Sequence, residues 1–451
     1  MRRKLYFLFL LLSCGLTYQA TANDGEEAAE LALFGNKGPH WLYKLVAHSP
    51  VLKQHQVGLS ITDASTGERI FSYRDEEYFV PASTMKLFSL YAGLHLLGDS
   101  LPSLRYVVRQ DSLIFWGTGD PTLLHGDVPS RAAFQFLQRR PEKLFYAQIP
   151  CVEPFGPGWS WDDYNYYYQP ERGPFPIYGH TVRFYARAGK AQPLVLPQVF
   201  TASVESAPSG YLNRSDHVRR AVLENKFFVM PIQKNWVDET PFRTSPALLM
   251  SLLQDTLHRP ILPTPWQYRA QEQVHTLAGL PVDSLYRRMI QVSDNFLAEQ
   301  LLLMCSSRLG PDSLNTARTI RTMKQRYLAD LPDALVWVDG SGLSRQNLIT
   351  PRDMTVLLLK LHQEVPEQRL LSLLAAGGGH GTLRRLYHDQ QGPWVWGKTG
   401  TLSNTHNLAG YLRTKKGRLL AFSFMNNNHV AETSAIRQEI QKVLAQVRER
   451  M

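Results

Sequence analysis

"FVPASTMKLF", residues Phe79 to Phe88, places a lysine three positions after a serine, just behind a proline and inside an apolar run. A helix beginning near Ser83 after Pro81 puts Lys86 one turn on, and side chains so spaced have Cβ atoms about 5–6 Å apart. The amine can then reach the hydroxyl. A serine hydroxyl is a weak nucleophile until a base takes its proton, and a lysine amine can act as that base only when neutral. Moving a lysine from about 10.4 to about 8 costs roughly 3 kcal/mol, which desolvation and a second cation can provide. Met85, Leu87 and Phe88 provide the desolvation, and a helix N-terminus favours negative charge developing on the serine oxygen. Taken alone the pair is weak, because Ser-x-x-Lys arises on the order of once by chance in a chain of this length. Its plain reading is a helix start with a solvated lysine.

Two further pieces change the reading: Ser293-Asp294-Asn295 and Lys398-Thr399-Gly400-Thr401, in that order after Ser83. The chain holds one Ser-x-x-Lys, two Ser-x-Asn (the other is Ser313 to Asn315) and one Lys-Thr-Gly, so the triple is not drawn from many candidates. Each part has a physical task. Ser293 can pass a proton between Lys86 and a leaving amine, and the Asn295 amide can hold Lys86 and the substrate backbone. Lys398 brings the second cation, which lowers the pKa of Lys86 and attracts a terminal carboxylate. Gly400 removes a side chain where substrate must lie along a strand edge, and the backbone N–H groups of Ser83 and Thr401 can face an oxyanion. The plain readings are a strand start for Lys-Thr-Gly and a helix cap for Ser-Asp-Asn. The three motifs together are the signature of penicillin-binding proteins and class A β-lactamases.

The chain has 451 residues, 44% hydrophobic and 20% charged, which is globular and long enough for about two or three domains. It begins with Arg2, Arg3 and Lys4, an apolar run too short to span a membrane, and Ala20-Thr21-Ala22, which together read as an export signal over residues 1–22. "LLSC" at Leu11 to Cys14 also resembles a lipoprotein box, so a lipid anchor on Cys14 is the alternative to a soluble periplasmic protein. The formal net charge is +10, including the three leader cations. That charge favours anionic partners: a membrane surface, nucleic acid or an acidic wall polymer. Export makes nucleic acid improbable. Cys151 and Cys305 lie far apart and read as isolated thiols, or less readily as one bridge. No cofactor is expected, and the 14 histidines show no HExxH or paired Cys/His spacing for a metal.

"QVGLSITDASTGERIFSYR" reads as a strand, a turn at Ser65-Thr66-Gly67 and a second strand. Residues Thr84 to Leu97 are apolar all round, as in a helix buried in a domain. From about Asp99 the composition changes to prolines, clustered aromatics and short β-like runs, which indicates an inserted, mainly β module over 99–265. A helical pattern returns from about Trp266, with "DSLYRRMIQVSDNFLAEQLLLMCSS" strongly periodic. Three β segments follow from Lys398 on, the last two joined at Lys415-Lys416-Gly417. A closing helix carries Ile436, Ile440, Val443, Leu444 and Val447 on one face, expected to pack on that sheet rather than on a membrane.

With these residues in hand, the chain resembles the D-alanyl-D-alanine carboxypeptidase/endopeptidase family, the class C low-molecular-mass penicillin-binding proteins. The likeness runs through "PASTMK", "GTGDPTL" at Gly117 to Leu123, "GWSWDD" at Gly158 to Asp163, "DGSGLSR" at Asp339 to Arg345 and "GHGTLRR" before Lys-Thr-Gly. The 210 positions between Ser83 and Ser293 match the long insertion of that family. The resemblance implies an α/β (α+β) chain of transpeptidase-like fold, with a five-stranded antiparallel sheet flanked by helices. Its catalytic domain would be split into 23–98 and 266–451, with the site between sheet and helical lobe. It further implies that Ser83 is acylated by a peptidoglycan stem ending in D-Ala-D-Ala, or by β-lactams, and is then released by water. A side pocket in some relatives would correspond to Trp159, Asp162, Ser341, Arg345 and Leu402, with Asp162 holding an ammonium and Arg345 a carboxylate. Plain readings compete here: "GWSWDDYNYYY" as an apolar brace, "DGSGLS" as a turn, and Glu299 as a surface or helix-pairing residue. His380 stands where relatives commonly have an acid, and the insertion is somewhat short, which bears on substrate detail.

A β-lactamase shares the three motifs, but class A enzymes deacylate with a glutamate in a Glu-x-x-Leu-Asn loop, and at Leu212-Asn213 the corresponding residue is Ser209. An idle wall-binding protein is the other alternative, disfavoured because every catalytic position is filled. The order of carboxypeptidase and endopeptidase work, and the oligomeric state, are not readable from the chain.

Overall fold

Asp63 makes the turn expected at Ser65-Thr66-Gly67: its Oδ1 accepts the backbone N–H groups of Ser65 (2.9 Å) and Thr66 (3.1 Å), joining strand β1 (Gln56–Asp63) to β2 (Arg69–Tyr73). The computed structural model describes residues 38–451 apart from 152, 212–215, 268, 270 and 311–312. The leader with Cys14, and Leu212-Asn213, lie outside the described residues. The inserted region contributes β3 (Ser100–Arg109), β4 (Ser112–Gly117), β5 (Lys143–Ala147), β6 (Thr181–Ala186), β7 (Leu194–Leu196), β8 (Val204–Ser206), β9 (Val218–Arg220), β10 (Phe227–Val229), β11 (Trp236–Pro241) and β12 (Ile261–Thr264), and β13 (His275–Pro281) follows it. The C-terminal part adds β14 (Ala375–Ala376), β15 (Val395–Leu402), β16 (Thr405–Arg413) and β17 (Leu419–Asn427).

The main sheet runs β14-β15-β16-β17-β1-β2 with every neighbouring pair antiparallel. Five of these strands form the expected sheet, and β14 adds two residues at its edge. Both faces of the central strands are apolar, so both need a covering layer. Leu408 and Leu412 of β16, with Leu420, Phe422 and Phe424 of β17, face one core. There they meet helix α1 (His40–Ala47) and the stripe Ile436, Ile440, Val443, Leu444 and Val447 of the C-terminal helix Thr433–Arg450. The alternate residues Ala409, Tyr411, Leu419, Ala421 and Met425 face the second core. The C-terminal stripe is thus a packing face, and no described helix is long and apolar enough to cross a membrane.

Helix α2 (Lys86–Leu96) precedes the inserted region, α3 (Ala132–Arg139) and α4 (Pro246–Leu257) lie within it, and α5 (Val282–Gln291) and α6 (Asn295–Leu309) follow it. The second core is built from α2, α5, α6 and the helix Pro351–Glu364. Eight residues of α2 are buried, in line with its all-round apolar character. Two details differ from expectation. The segment from Trp266 does not turn helical at once: β13 first joins a five-stranded sheet β12-β5-β4-β3-β13, and helix begins only at Val282, after Pro281. The long periodic run then breaks at Val292–Asp294, where Ser293 takes φ +68° and Asp294 caps α6 by accepting the Leu297 N–H at 3.1 Å. Beyond the break α6 is buried on nearly every side, from Asn295 to Ser307, rather than along the single face expected.

Among the described residues the inserted strands pair with one another and, at the β3 edge, with β13, in the five-stranded sheet and the three-stranded sheets β8-β10-β9 and β11-β6-β7, around a core of their own that includes Phe115, Phe184 and Phe227. Cys151 and Cys305 are not joined in a disulfide, and burial pushes the Cys305 thiol upward.

Two features of the fold set Ser83, the candidate nucleophile. The turn Ala82–Met85 is a 3-10 turn, with α2 starting only at Lys86, and Ala82 holds φ +49°. It is clamped from the sheet: Asn407 Nδ2 donates to Val80 O and Pro81 O, both at 2.9 Å, and Asn427 Oδ1 accepts from Val80 N at 2.7 Å. Strand β15 then crosses this turn at Gly400, where a Cβ would lie 2.6 Å from Pro81 O, 2.9 Å from Thr84 N and 3.0 Å from Ser83 N. Glycine at 400 therefore answers to the serine turn itself as well as to the strand edge. Gly400→Ala is expected to push β15 off the turn and cut acylation of Ser83 by at least about tenfold while the chain stays folded, read by labelling with a fluorescent penicillin beside a thermal melt. Leu444→Ala, which opens a cavity under the C-terminal helix, is expected to cost about 2–5 kcal/mol in a denaturant titration and leave the labelling rate of the folded protein unchanged.

Candidate active site

Lys86 is fully buried, and its Nζ meets three oxygens: Asn295 Oδ1 at 2.6 Å, Ser341 O at 2.7 Å and Ser83 Oγ at 3.0 Å. The first two oxygens can only accept. A neutral amine has two protons to donate and one lone pair, so with both protons committed to Asn295 and Ser341 the lone pair is left for the Ser83 hydroxyl. Burial pulls the Lys86 pKa down to about 8, against the opposing pull of the Asp339, Asp294 and Glu299 carboxylates. The amine is thus close to the balance that a general base at neutral pH needs.

Lys398, also fully buried, donates to Ser293 Oγ at 2.8 Å and to Thr399 O at 2.5 Å. No carboxylate among the described residues pairs with it. Its pKa is driven well below the ordinary lysine value, first by burial and then by repulsion from Lys86. The expected repulsion between the two lysines acts on Lys398 as well: Lys86 disfavours a proton on Lys398, while three carboxylates favour one on Lys86. An incoming carboxylate beside Lys398 favours its charged form, and that charge in turn disfavours a proton on Lys86.

These groups surround a cavity of about 610 Å³ lined by Ser83, Ser293, Asn295 and Thr401. The edge of β15 beyond Gly397 has no strand partner on the β14 side among the described residues, which leaves an extended ligand room to lie along Lys398 to Leu402. Thr399 Oγ1 donates to Thr382 Oγ1 (2.9 Å), and Thr401 Oγ1 pairs with His406 Nδ1 (2.8 Å). Of the side-pocket candidates, Asp162, Leu402 and Arg345 line the cavity, with Arg345 donating to Ser403 O at 2.8 Å. Trp159 and Ser341 stand behind it. Trp159 Nε1 donates to Asp339 Oδ2 at 2.9 Å, and Ser341 is fully buried, with its carbonyl on Lys86. The second Ser-x-Asn is a helix cap, Asn315 Oδ1 accepting from Arg318 N at 3.3 Å.

Several residues of the site escaped the sequence reading. Asp339 is a hub whose carboxylate accepts from Gly342 N (2.9 Å), Ser344 N (2.8 Å) and Asn347 Nδ2 (2.7 Å), shaping the loop that presents Ser341 O. Glu299 is not on the surface: it is buried, pairs with Arg172 at 3.3 Å and accepts the Ser341 N–H at 2.7 Å. Its position four residues after Asn295 on one helix was the available signal. Arg172 left no local signal at all, because its partner is 127 positions away. On the far side of the cavity, Arg288 pairs with Asp127 at 2.9 Å, and His125 Nδ1 accepts from Asp127 N at 3.0 Å.

Comparison with known proteins agrees with this architecture. Carboxypeptidase DacB of Mycolicibacterium smegmatis is 30% identical over 168 residues, 36% of each chain, so the match spans about a third of that relative. The D-alanyl-D-alanine carboxypeptidase of Actinomadura sp. (strain R39) is 27% identical over 436 residues, covering 85% of this chain and 80% of the relative. The crystal structure of penicillin binding protein 4 from Haemophilus influenzae has the same fold, with TM-score 0.70 at 20% identity, covering 90% of this chain and 99% of that one. Residues 41–193 and 261–447 match the D-Ala-D-Ala carboxypeptidase 3 (S13) family, the gap falling on β7 to β11 and α4 of the inserted region. With most of its length matched, on both sides of the insertion, the chain belongs to the D-Ala-D-Ala carboxypeptidase 3 (S13) family.

Proposed function

We propose that the protein is a serine-type D-alanyl-D-alanine carboxypeptidase and/or endopeptidase acting on peptidoglycan stem peptides and crosslinks, and that β-lactams acylate the same serine. The observation that carries this reading is the set of three oxygens around the Lys86 amine, because it leaves the lone pair for the Ser83 hydroxyl. Ser83 Oγ attacks the carbonyl of the penultimate D-alanine, its proton passes to Lys86, and an acyl-oxygen bond forms. The C–N bond then breaks, and the leaving amine takes a proton delivered through Ser293. Water adds to the ester and returns Ser83 to its hydroxyl form. Lys398 and Thr399 are assigned to the substrate carboxylate, and Asn295 to the substrate backbone as well as to Lys86. Both reactions cut a D-alanyl bond through one acyl-enzyme, so one site serves either substrate.

The side chains of Asp162, Arg345 and Leu402 are offered as substrate contacts, with Trp159 and Ser341 supporting them from behind. The division into a split catalytic part, 23–98 and 266–451, and an inserted part, 99–265, is offered on the same footing, with β13 shared into the inserted sheet. The leader supports work outside the cytoplasm, in the periplasm, with lipid anchoring through Cys14 as the alternative.

Digestion of purified wall peptides by the processed protein, resolved by mass, tests the activity. Release of terminal D-alanine or cleavage of dimers to monomers is expected, and both are lost in Ser83→Ala; no product from either substrate overturns the assignment. With nitrocefin a single slow equivalent is expected, whereas rapid repeated turnover means a β-lactamase. The pH dependence follows from Lys86. Its depressed pKa makes the amine protonated and idle below about 8 and neutral above it, so the acylation rate should rise about tenfold between about pH 7 and about pH 9. A flat profile over that range counts against Lys86 as the base.

A further inference from the structure

Two of the three groups holding the Lys86 amine are themselves held by one short segment of the inserted region. Asn295, which accepts from Lys86, donates through Nδ2 to Tyr168 O at 2.9 Å. Ser341, whose carbonyl also accepts from Lys86, gives its N–H to Glu299 Oε1 at 2.7 Å, and the other carboxylate oxygen of Glu299 meets Arg172 at 3.3 Å. Asn295 and Glu299 lie one turn apart on α6 and so face the same way. The next residue, Gln300, donates to Gly173 O at 2.9 Å and accepts from Gly173 N at 3.1 Å. Helix α6 is thereby bonded to residues 168, 172 and 173 in succession.

The Arg172 and Glu299 side chains are only 3% and 1% exposed. A pair so deeply buried adds little stability over apolar residues of the same volume, because desolvation offsets the attraction. What it fixes is geometry. Arg172 also donates to Glu153 O at 3.0 Å and Phe155 O at 2.7 Å and lies over the Trp159 ring, whose nitrogen holds Asp339 and hence the loop of Ser341.

We propose that Arg172 and Glu299 are positioning residues for the Lys86 amine, which makes the inserted segment Tyr168–Arg172 part of the general-base apparatus of the catalytic domain. This deepens the proposed function and rests on Ser83 being the acylated nucleophile. Arg172 draws Glu299 toward its ionised form against the upward push of burial and Asp339, Glu299 orients the Ser341 carbonyl, and that carbonyl with Asn295 aims the lone pair of Lys86 at Ser83. The charged groups around the amine are Asp339, Asp294 and Glu299, which favour its protonated form, and Lys398, which is repelled by it.

The test is the pH profile of Ser83 acylation by a fluorescent penicillin in wild type, Glu299→Gln and the double variant Arg172→Met/Glu299→Gln, each checked for folding by thermal melt. In Glu299→Gln the side-chain amide oxygen would still accept the Ser341 N–H, but one carboxylate that favours protonated Lys86 is gone. The midpoint should fall by about half a pH unit or more, and the high-pH plateau should drop at least about tenfold in the double variant, where the side-chain amide at 299 is no longer fixed by Arg172 and ceases to orient the Ser341 N–H. The double variant removes the pair as a unit, leaves no buried orphan charge, and carries the test even where the single variant fails to fold. Loss of packing alone lowers the melt and leaves the midpoint in place. An unchanged midpoint with a plateau within about twofold of wild type in folded protein overturns the proposal and leaves the peptidase reading intact. Failure of the wild type to label overturns the peptidase reading and the proposal together.

Discussion

A lysine amine held in a dry site between two oxygens that can only accept is the constraint on which the rest of the molecule depends. Burial makes the charged form costly, and the Asn295 and Ser341 oxygens use up the protons of the neutral form, so the remaining lone pair has one destination, Ser83. Meeting that constraint requires parts far apart in the chain: the turn before α2, the start of α6 and the loop at Ser341. The apolar surroundings of Lys86, with Met85, Leu87 and Phe88 all fully buried, are a precondition of the chemistry as much as of the fold.

The backbone around the reactive hydroxyls is held in costly conformations for the same reason. Ala82, beside the nucleophile, and Ser293, beside Lys398, both have positive φ without being glycine, each at about 1–3 kcal/mol. Neighbours over-determine both. Asn407 and Asn427 clamp the approach to Ala82, Gly342 packs against its carbonyl where no Cβ could fit, and Asp294 caps α6 directly after Ser293. The stability that tolerates such local cost comes from the doubly covered sheet, whose β16 and β17 side chains alternate between two cores.

The two lysines divide the work through their mutual repulsion. Three carboxylates favour a proton on Lys86, whereas burial and the Lys86 charge act against one on Lys398, which pairs with no carboxylate among the described residues. The inserted region enters the same balance through Tyr168 and Arg172, whose buried polar contacts join it to the helix Asn295–Leu309 beside an apolar seam of Val107, Trp116, Ala147 and Ile149 on Leu303 and Leu314.

Ser83, Lys86, Ser293, Asn295 and Lys398 stood out in the sequence as candidates because the proposed chemistry needs those residue types at short, fixed spacings, and the fold links them by hydrogen bonds in two groups, around Lys86 and around Lys398. The hairpin around Asp63, the C-terminal strands and the buried stripe of the last helix were legible because apolar periodicity records which face is covered. The extra strand β13, the break at Ser293, the hub at Asp339 and the Arg172–Glu299 pair were not legible. Each depends on a partner remote in sequence or on a backbone angle that side-chain periodicity does not encode. The chain by itself therefore determined which groups are candidates for the chemistry and the class of sheet and helices that carries them. Only the tertiary structure decided how the amine is aimed and by what, since hydrogen-bond direction and desolvation exist only once distant segments have packed together.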